Sequence, residues 1–284
     1  HLPTDEALTY HLFDAEQHID LSPFAYPEQT RPSLLVPEQL HSVLHGSCRN
    51  PHHYSDDALI QADTLMAHAI AGEEQVQRAQ LLILSGDQVY ADDVAGPMLL
   101  AIYQLIDQLG IYKEHTPLID SGADIHAHLY QRAKILPKTP WQELSKWHSG
   151  YWLRKDEPHF SSVKSANHLI HFEEFIALYL LSLSAASWQL IDFDVCVIDP
   201  QHPNKQEFDT ELKHLRRLAD TQVHAARLMA HVSTIMIFDD HDVTDDWNLT
   251  ANWEQAVYTH PASRGIICNA MLSYALFQGW GNTS

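Results

Sequence analysis

Three short stretches hold the side chains that could do chemistry. Gly46-Ser47-Cys48-Arg49 offers a thiol beside a guanidinium. Ser85-Gly86-Asp87-Gln88-Val89-Tyr90-Ala91-Asp92 offers a carboxylate with a phenol three residues on, and Phe238-Asp239-Asp240-His241-Asp242-Val243-Thr244-Asp245-Asp246-Trp247 a run of acids around one imidazole. Asp87 directly follows Ser-Gly, so the backbone beside it lacks a Cβ and two cations can approach its two oxygens; it is the candidate bridging ligand. Tyr90 lies on the same side if the loop tightens into a helical turn. A phenol, like the thiolate of Cys48, needs a strong Lewis acid to stabilise its anion, which favours trivalent iron over magnesium. Five aspartates within eight residues of the third stretch repel one another by up to roughly 4 kcal/mol per pair at 4 Å and an effective dielectric near 20. Something cationic should relieve them. His241 sits between Asp240 and Asp242, which should raise its pKa and suit it to donate a proton or to bind a phosphate oxygen. Arg49, and after it Arg264, are the bases best placed to hold an anionic group. Simple packing of Cys48 and Tyr90, and a capping role for His241, are the alternatives.

Each stretch follows an apolar run, at Ser42–Leu44, Leu81–Leu84 and Thr234–Phe238. A short apolar run that stops at glycine or acids reads as a strand buried on both faces. In a parallel sheet with crossover helices, such strand ends share one edge, where ligands sit. The spacing predicts a helix capped by Asp56 or Asp57 that runs from Leu59 to Gly72, and another from Met98 to Gly110. Further helices are expected over Ser165–Leu183, Phe208–His231 and Ser263–Phe277, with a fourth strand at Asp194–Asp199. Residues 1–40, broken by Pro3, Pro23, Pro27, Pro32 and Pro37, read as a lead-in or the tail of a preceding domain. Residues 41–284 read as one α/β domain with an insertion or lid at about 111–160.

The 284 residues carry 37 acids against 17 bases, a formal charge of −20, which disfavours nucleic acid and anionic membranes as partners. No segment approaches the roughly 20 continuous apolar residues of a membrane span. Three dispersed cysteines rule out a disulfide scaffold. The 21 histidines are mostly scattered, and His126-Ala127-His128, His168 with His171, and His52-His53 are weak zinc patterns better explained as structural. The chain opens at His1 instead of Met and is expected to be a fragment. With no signal-like segment visible, a cytoplasmic location is slightly favoured over export. A phosphate-cradling glycine loop, a Gly-x-Ser-x-Gly elbow and a His-Glu-x-x-His pair are absent, and Asp240–Ala251 lacks the glycine and closing glutamate of a calcium EF-hand.

Taken together, the three stretches resemble the PhoD-like (alkaline phosphatase D) branch of the calcineurin-like metallophosphatases, over about residues 42–280. The resemblance implies a four-layer α/β/β/α fold, incomplete here at the C-terminus because a Ser-Gly-Asp-Val-His type loop would follow Ser284. It implies hydrolysis of small phosphate esters, with iron held partly by Cys48 and Tyr90, and calcium alongside. Asp87 would bridge, Asp240 would lie on a neighbouring metal with Asp239 as a further ligand, and His241 would sit beside the substrate phosphate; other divalent metals could substitute. The competing readings are a non-catalytic metal-binding or interaction module, a truncated inactive fragment, and an acidic surface without metal.

Overall fold

The computed structural model describes residues 3–114, 125–137, 160–161 and 164–282. Most of the expected insertion lies outside the described residues. Two short antiparallel ladders come first: β1 (Ala7–Thr9) pairs with β4 (Ser33–Leu35), and β2 (Leu12–Asp14) with β3 (Gln17–Ile19). Of the prolines that argued against regular structure there, Pro23, Pro27 and Pro32 fall between β3 and β4, Pro3 before β1 and Pro37 after β4. A parallel sheet follows, in the order β5 (Val43–Gly46), β6 (Leu81–Ser85), β7 (Ser233–Ile237). Helices α1 (Ala58–Ile70), α2 (Gly96–Leu109), α3 (Phe172–Leu183), α4 (Lys205–His231), α5 (Ala251–Thr259) and α6 (Pro261–Tyr274) make up most of the rest.

Local sequence sets most boundaries. The Asp57 carboxylate accepts from the Leu59 amide at 2.9 Å and caps α1. Pro97 occupies the first turn of α2, and Gly110 ends it in the left-handed region at φ 61°. The segment Asp194–Asp199 forms no strand: Cys196 and Ile198 point inward and Val195 and Val197 outward, so the alternation holds without a partner strand. The expected helix from Ser165 begins only at Phe172, where His171 and Glu174 form a capping box. The last helix stops at Tyr274 and passes into a π-turn, Ala275–Gly279.

The register pairs Gly46 with Leu84 and Ser85 with Ile237, which brings the carboxyl ends of all three strands to one edge. Leu44, Leu82, Leu84 and Met236 pack on Leu59, Met66 and Leu228 from α1 and α4. The opposite face leaves Val43, Ile235 and Ile237 at 44–52% exposure. Helices α1 and α4 thus cover one face of the three-stranded sheet. A larger apolar core joins α2, α3, α4, α5 and α6. Among the described residues no helix is long and apolar enough to cross a membrane.

The N-terminal segment is fastened to this frame. Buried Tyr26 donates to Asp63 Oδ1 of α1 at 2.7 Å, and Arg227 of α4 donates to the same oxygen at 3.0 Å. His231 donates from Nε2 to the Phe24 carbonyl (3.0 Å) and accepts at Nδ1 from the Ser33 amide (3.4 Å). This arrangement suits the neutral ring. Burial, with Arg78 and Arg227 nearby, pushes its pKa down to about 4. The unfolded chain, with His near 6.5, therefore binds more protons between those values. The stability that neutral His231 supports is complete above pH 6.5 and is lost as pH falls toward 4, by about 2–3 kcal/mol. Urea unfolding at pH 7 and 4.5 should show this loss, and His231→Gln should remove that part of the pH dependence; equal slopes for both proteins would refute it.

Candidate metal centre

The loops after β5 and β6 are stitched together by the backbone. The Cys48 amide donates to the Gly86 carbonyl (3.1 Å) and the Arg49 amide to the Asp87 carbonyl (2.9 Å). Three residues in the left-handed half of backbone space make the turn: Cys48 at φ 59°, Gly86 at 114° and Asp87 at 52°. Two of the three carry side chains, an unfavourable choice unless the surroundings enforce it, and such residues cluster at functional sites. Gln88 closes the loop by donating from Nε2 to the Gly86 carbonyl at 2.6 Å.

The loop after β7 is braced by its own acids. Asp239 accepts at Oδ1 from the Asp240 amide (3.0 Å), and its amide donates to Asp242 Oδ2 (3.0 Å). Asp240 accepts from the amides of His241 (3.1 Å) and Asp246 (2.9 Å). Buried Asp242 also receives the Gln278 amide (2.9 Å) and the Tyr179 hydroxyl (3.3 Å). Burial pushes its carboxyl up to about 6. Asp242 therefore holds the loop from behind.

Ligand atoms of Asp87, Asp240 and His241 converge within 4.8 Å of one another. Asp87 is 5% exposed, and its Oδ1 has no hydrogen-bond partner. Burial raises the Asp87 pKa, with Asp239 and Asp240 adding to it, against the Cys48 thiol and His241. The Tyr90 phenol is held far above its ordinary value by burial, then by Asp87 and Cys48. The Ser47 hydroxyl pulls the Cys48 thiol down, but burial and Asp87 outweigh it and the net shift is upward. All three groups are thus held toward their protonated forms by burial and neighbouring negative charge, a balance that a bound cation would reverse. Asp87, Asp240 and His241 together could hold a metal ion. A second group, Asp240, Asp245 and Asp246, offers oxygens alone.

The structure thus brings together Cys48, Asp87, Tyr90, Asp240 and His241. Asp239 is more exposed and abuts Gly86, where a Cβ on the glycine would lie 2.5 Å from Asp239 Cβ. Arg49 is turned elsewhere: its guanidinium donates to Asp57 Oδ2 (2.7 and 3.1 Å) and to the Ser182 carbonyl ending α3 (3.3 Å). Arg264 is exposed on α6.

Sequence reasoning assigned no role to Asp92, although it lies in the quoted stretch. It is fully buried and accepts from His241 Nδ1 at 2.9 and 3.1 Å. The ring of Tyr90 stacks on His241, centroids 4.6 Å apart. This hydrogen bond to Asp92 is the main reason that the His241 pKa is pushed up to about 9. The extra proton is bound below pH 9 and lost above it, so the bond adds stability that is complete below about 6.5 and gone once pH passes 9. In metal-free protein, Asp92→Asn should lower the NMR titration midpoint of His241 by about two units, toward 6.5; an unmoved midpoint would refute the coupling.

A brace behind these loops was also unforeseen. Leu169 donates to the Ala91 carbonyl (2.7 Å), and the Ala91 amide to the His241 carbonyl (2.8 Å). His168 Nε2 lies 3.0 Å from Thr244 Oγ1. Arg132, fully buried, donates to the His168 carbonyl (3.0 Å) and pairs with fully buried Glu174 (2.7 Å). Nothing in the spacing of Arg132 and Glu174 signals this pairing, which is long-range and rests on the fold. No protein-family model, no curated protein and no solved structure matches the chain.

Proposed function

We propose that this centre binds metal, with iron and calcium as the preferred pair, and hydrolyses phosphate esters. The observation that carries the reading is the buried, unpartnered Oδ1 of Asp87, surrounded by Cys48, Tyr90, Asp240 and His241. A buried carboxylate oxygen without a donor is costly, and a cation is the partner that this acid-rich edge lacks. Cys48, Tyr90 and Asp87 would hold the iron, and Asp87, Asp240 and the neighbouring acids the calcium. The metals would supply Lewis acidity toward a phosphoryl oxygen.

The chain's own part is positional and protonic. His241, kept as imidazolium by Asp92, presents a donor in an otherwise anionic site, where it can hold a phosphate oxygen or protonate a leaving alkoxide. Its ring is kept in place by Tyr90 on one side and by the Ala91 amide at its backbone. Arg49 would have to exchange Asp57 for phosphate before it could assist. The small-molecule ester class is supported by the net negative charge, which opposes polyanionic partners.

The test is elemental analysis of the purified protein together with an assay on bis-p-nitrophenyl phosphate. Iron and calcium with turnover are expected. Metal without turnover would replace the enzyme reading with a metal-binding module, and a melting temperature insensitive to chelator would remove the metal as well.

A further inference from the structure

A cavity of about 260 Å³ lies between the Cys48 loop, the start of α1 and the α3 and α4 helices. Its walls are internally neutralised. Arg49 is paired with Asp57 at 2.7 Å, and Arg217 with Asp56 at 3.1 Å and with the carbonyls of His53 and Ser55. Two polar groups on its lining stay unsatisfied. Gln88 is fully buried, and because its Nε2 is committed to the Gly86 carbonyl, the atom left over is the acceptor Oε1, which has no partner. Ser182 is 4% exposed, and its Oγ has no partner either, although its carbonyl takes Arg49 and Gln222. Buried polar atoms without partners mark a place where a polar guest belongs.

The lining defines that guest. Paired charges leave no net attraction for an anion or a cation, and an amide oxygen and a hydroxyl without partners ask for hydroxyl groups. The volume is near the lower end of small-ligand pockets. We infer that this cavity binds an uncharged, hydroxyl-bearing group of a few carbons, and that it seats the alcohol portion of the ester cleaved at the adjoining centre. The second half of this inference rests on the phosphoesterase reading. The juxtaposition is direct: Cys48 and Gln88 line the cavity and flank Asp87 in the two stitched loops.

Glycerol 3-phosphate and n-propyl phosphate test it, since their alcohols match in length and differ in hydroxyls. With metal-loaded protein, kcat/KM should favour the glycerol ester by about tenfold, roughly one hydrogen bond's worth. Ser182→Met, which fills the cavity from a helix away from the metal loops, should bring the ratio close to one; Ser182→Ala should give an intermediate ratio. A parallel titration of glycerol, followed by NMR, reads the cavity without catalysis. Saturable binding lost in Ser182→Met supports the site. If neither ester turns over while glycerol still binds saturably, the phosphoesterase reading fails and the cavity assignment stands for a free polyol. Equal rates for both esters, or crystals soaked in glycerol that hold only water at Gln88 and Ser182, would overturn the inference.

Discussion

Asp87→Asn is expected to lower the phosphatase turnover of the metal-loaded protein by about three orders of magnitude, with iron content falling in parallel. The substitution keeps the shape of the side chain and removes only its charge, so packing cannot account for the loss. The carboxylate sits where the β5 and β6 loops meet, with one oxygen free and the Cys48 thiol and Tyr90 phenol beside it. A bridging ligand must neutralise two cations at once, and an amide oxygen cannot. The metal-free protein should respond in the opposite sense. There the buried carboxylate is opposed by Asp239 and Asp240, so removing its charge should stabilise the fold by about 1 kcal/mol in the presence of chelator. A variant with full metal occupancy and normal turnover would dispose of the proposed role. A variant less stable than wild type in chelator would show instead that Asp87 is held by partners within the protein.

These opposite signs separate what could be read from the residues from what only the fold reveals. The three strands, their order of entry into the acidic loops, the cap at Asp57 and the stop at Gly110 were legible because each depends on neighbours close in sequence. Convergence of Cys48, Asp87, Tyr90, Asp240 and His241 followed from parallel topology alone. What stayed hidden was the long-range support. Asp92 reads as one more acid until β7 delivers His241 to it, 149 residues later. Arg132 and Glu174 stand 42 residues apart and meet as a fully buried pair, with Glu174 in the first turn of α3. Such a pair adds little net stability over apolar packing and is better understood as fixing the loop that carries His168 and Leu169. Arg49 shows the converse: its neighbour in sequence, Cys48, faces the centre, yet the guanidinium satisfies Asp57 and the end of α3, an environment that no local pattern announces.

Gly86→Ala should be the most damaging single methyl that the site can receive. At φ 114° an L-residue is strained by about 1–3 kcal/mol. The added Cβ would also lie 2.5 Å from Asp239 Cβ, closer than two carbons can approach without displacement. Asp239 cannot swing aside, because the atom at fault is its Cβ and its backbone is tied to Asp242 Oδ2. The whole loop after β7 would have to move, taking Asp240 and His241 with it. A loss of about 3–5 kcal/mol in stability is expected, together with loss of metal binding. Gly110→Ala is the matched control, since Gly110 also has positive φ, at 61°, but nothing lies within 4 Å of a new Cβ. It should cost about 1 kcal/mol and leave metal content intact. The difference between the two variants measures how tightly the loops after β6 and β7 are pressed together. If urea unfolding gave equal costs and elemental analysis equal metal, the contact that draws Asp87 and Asp240 into one centre would not exist in solution.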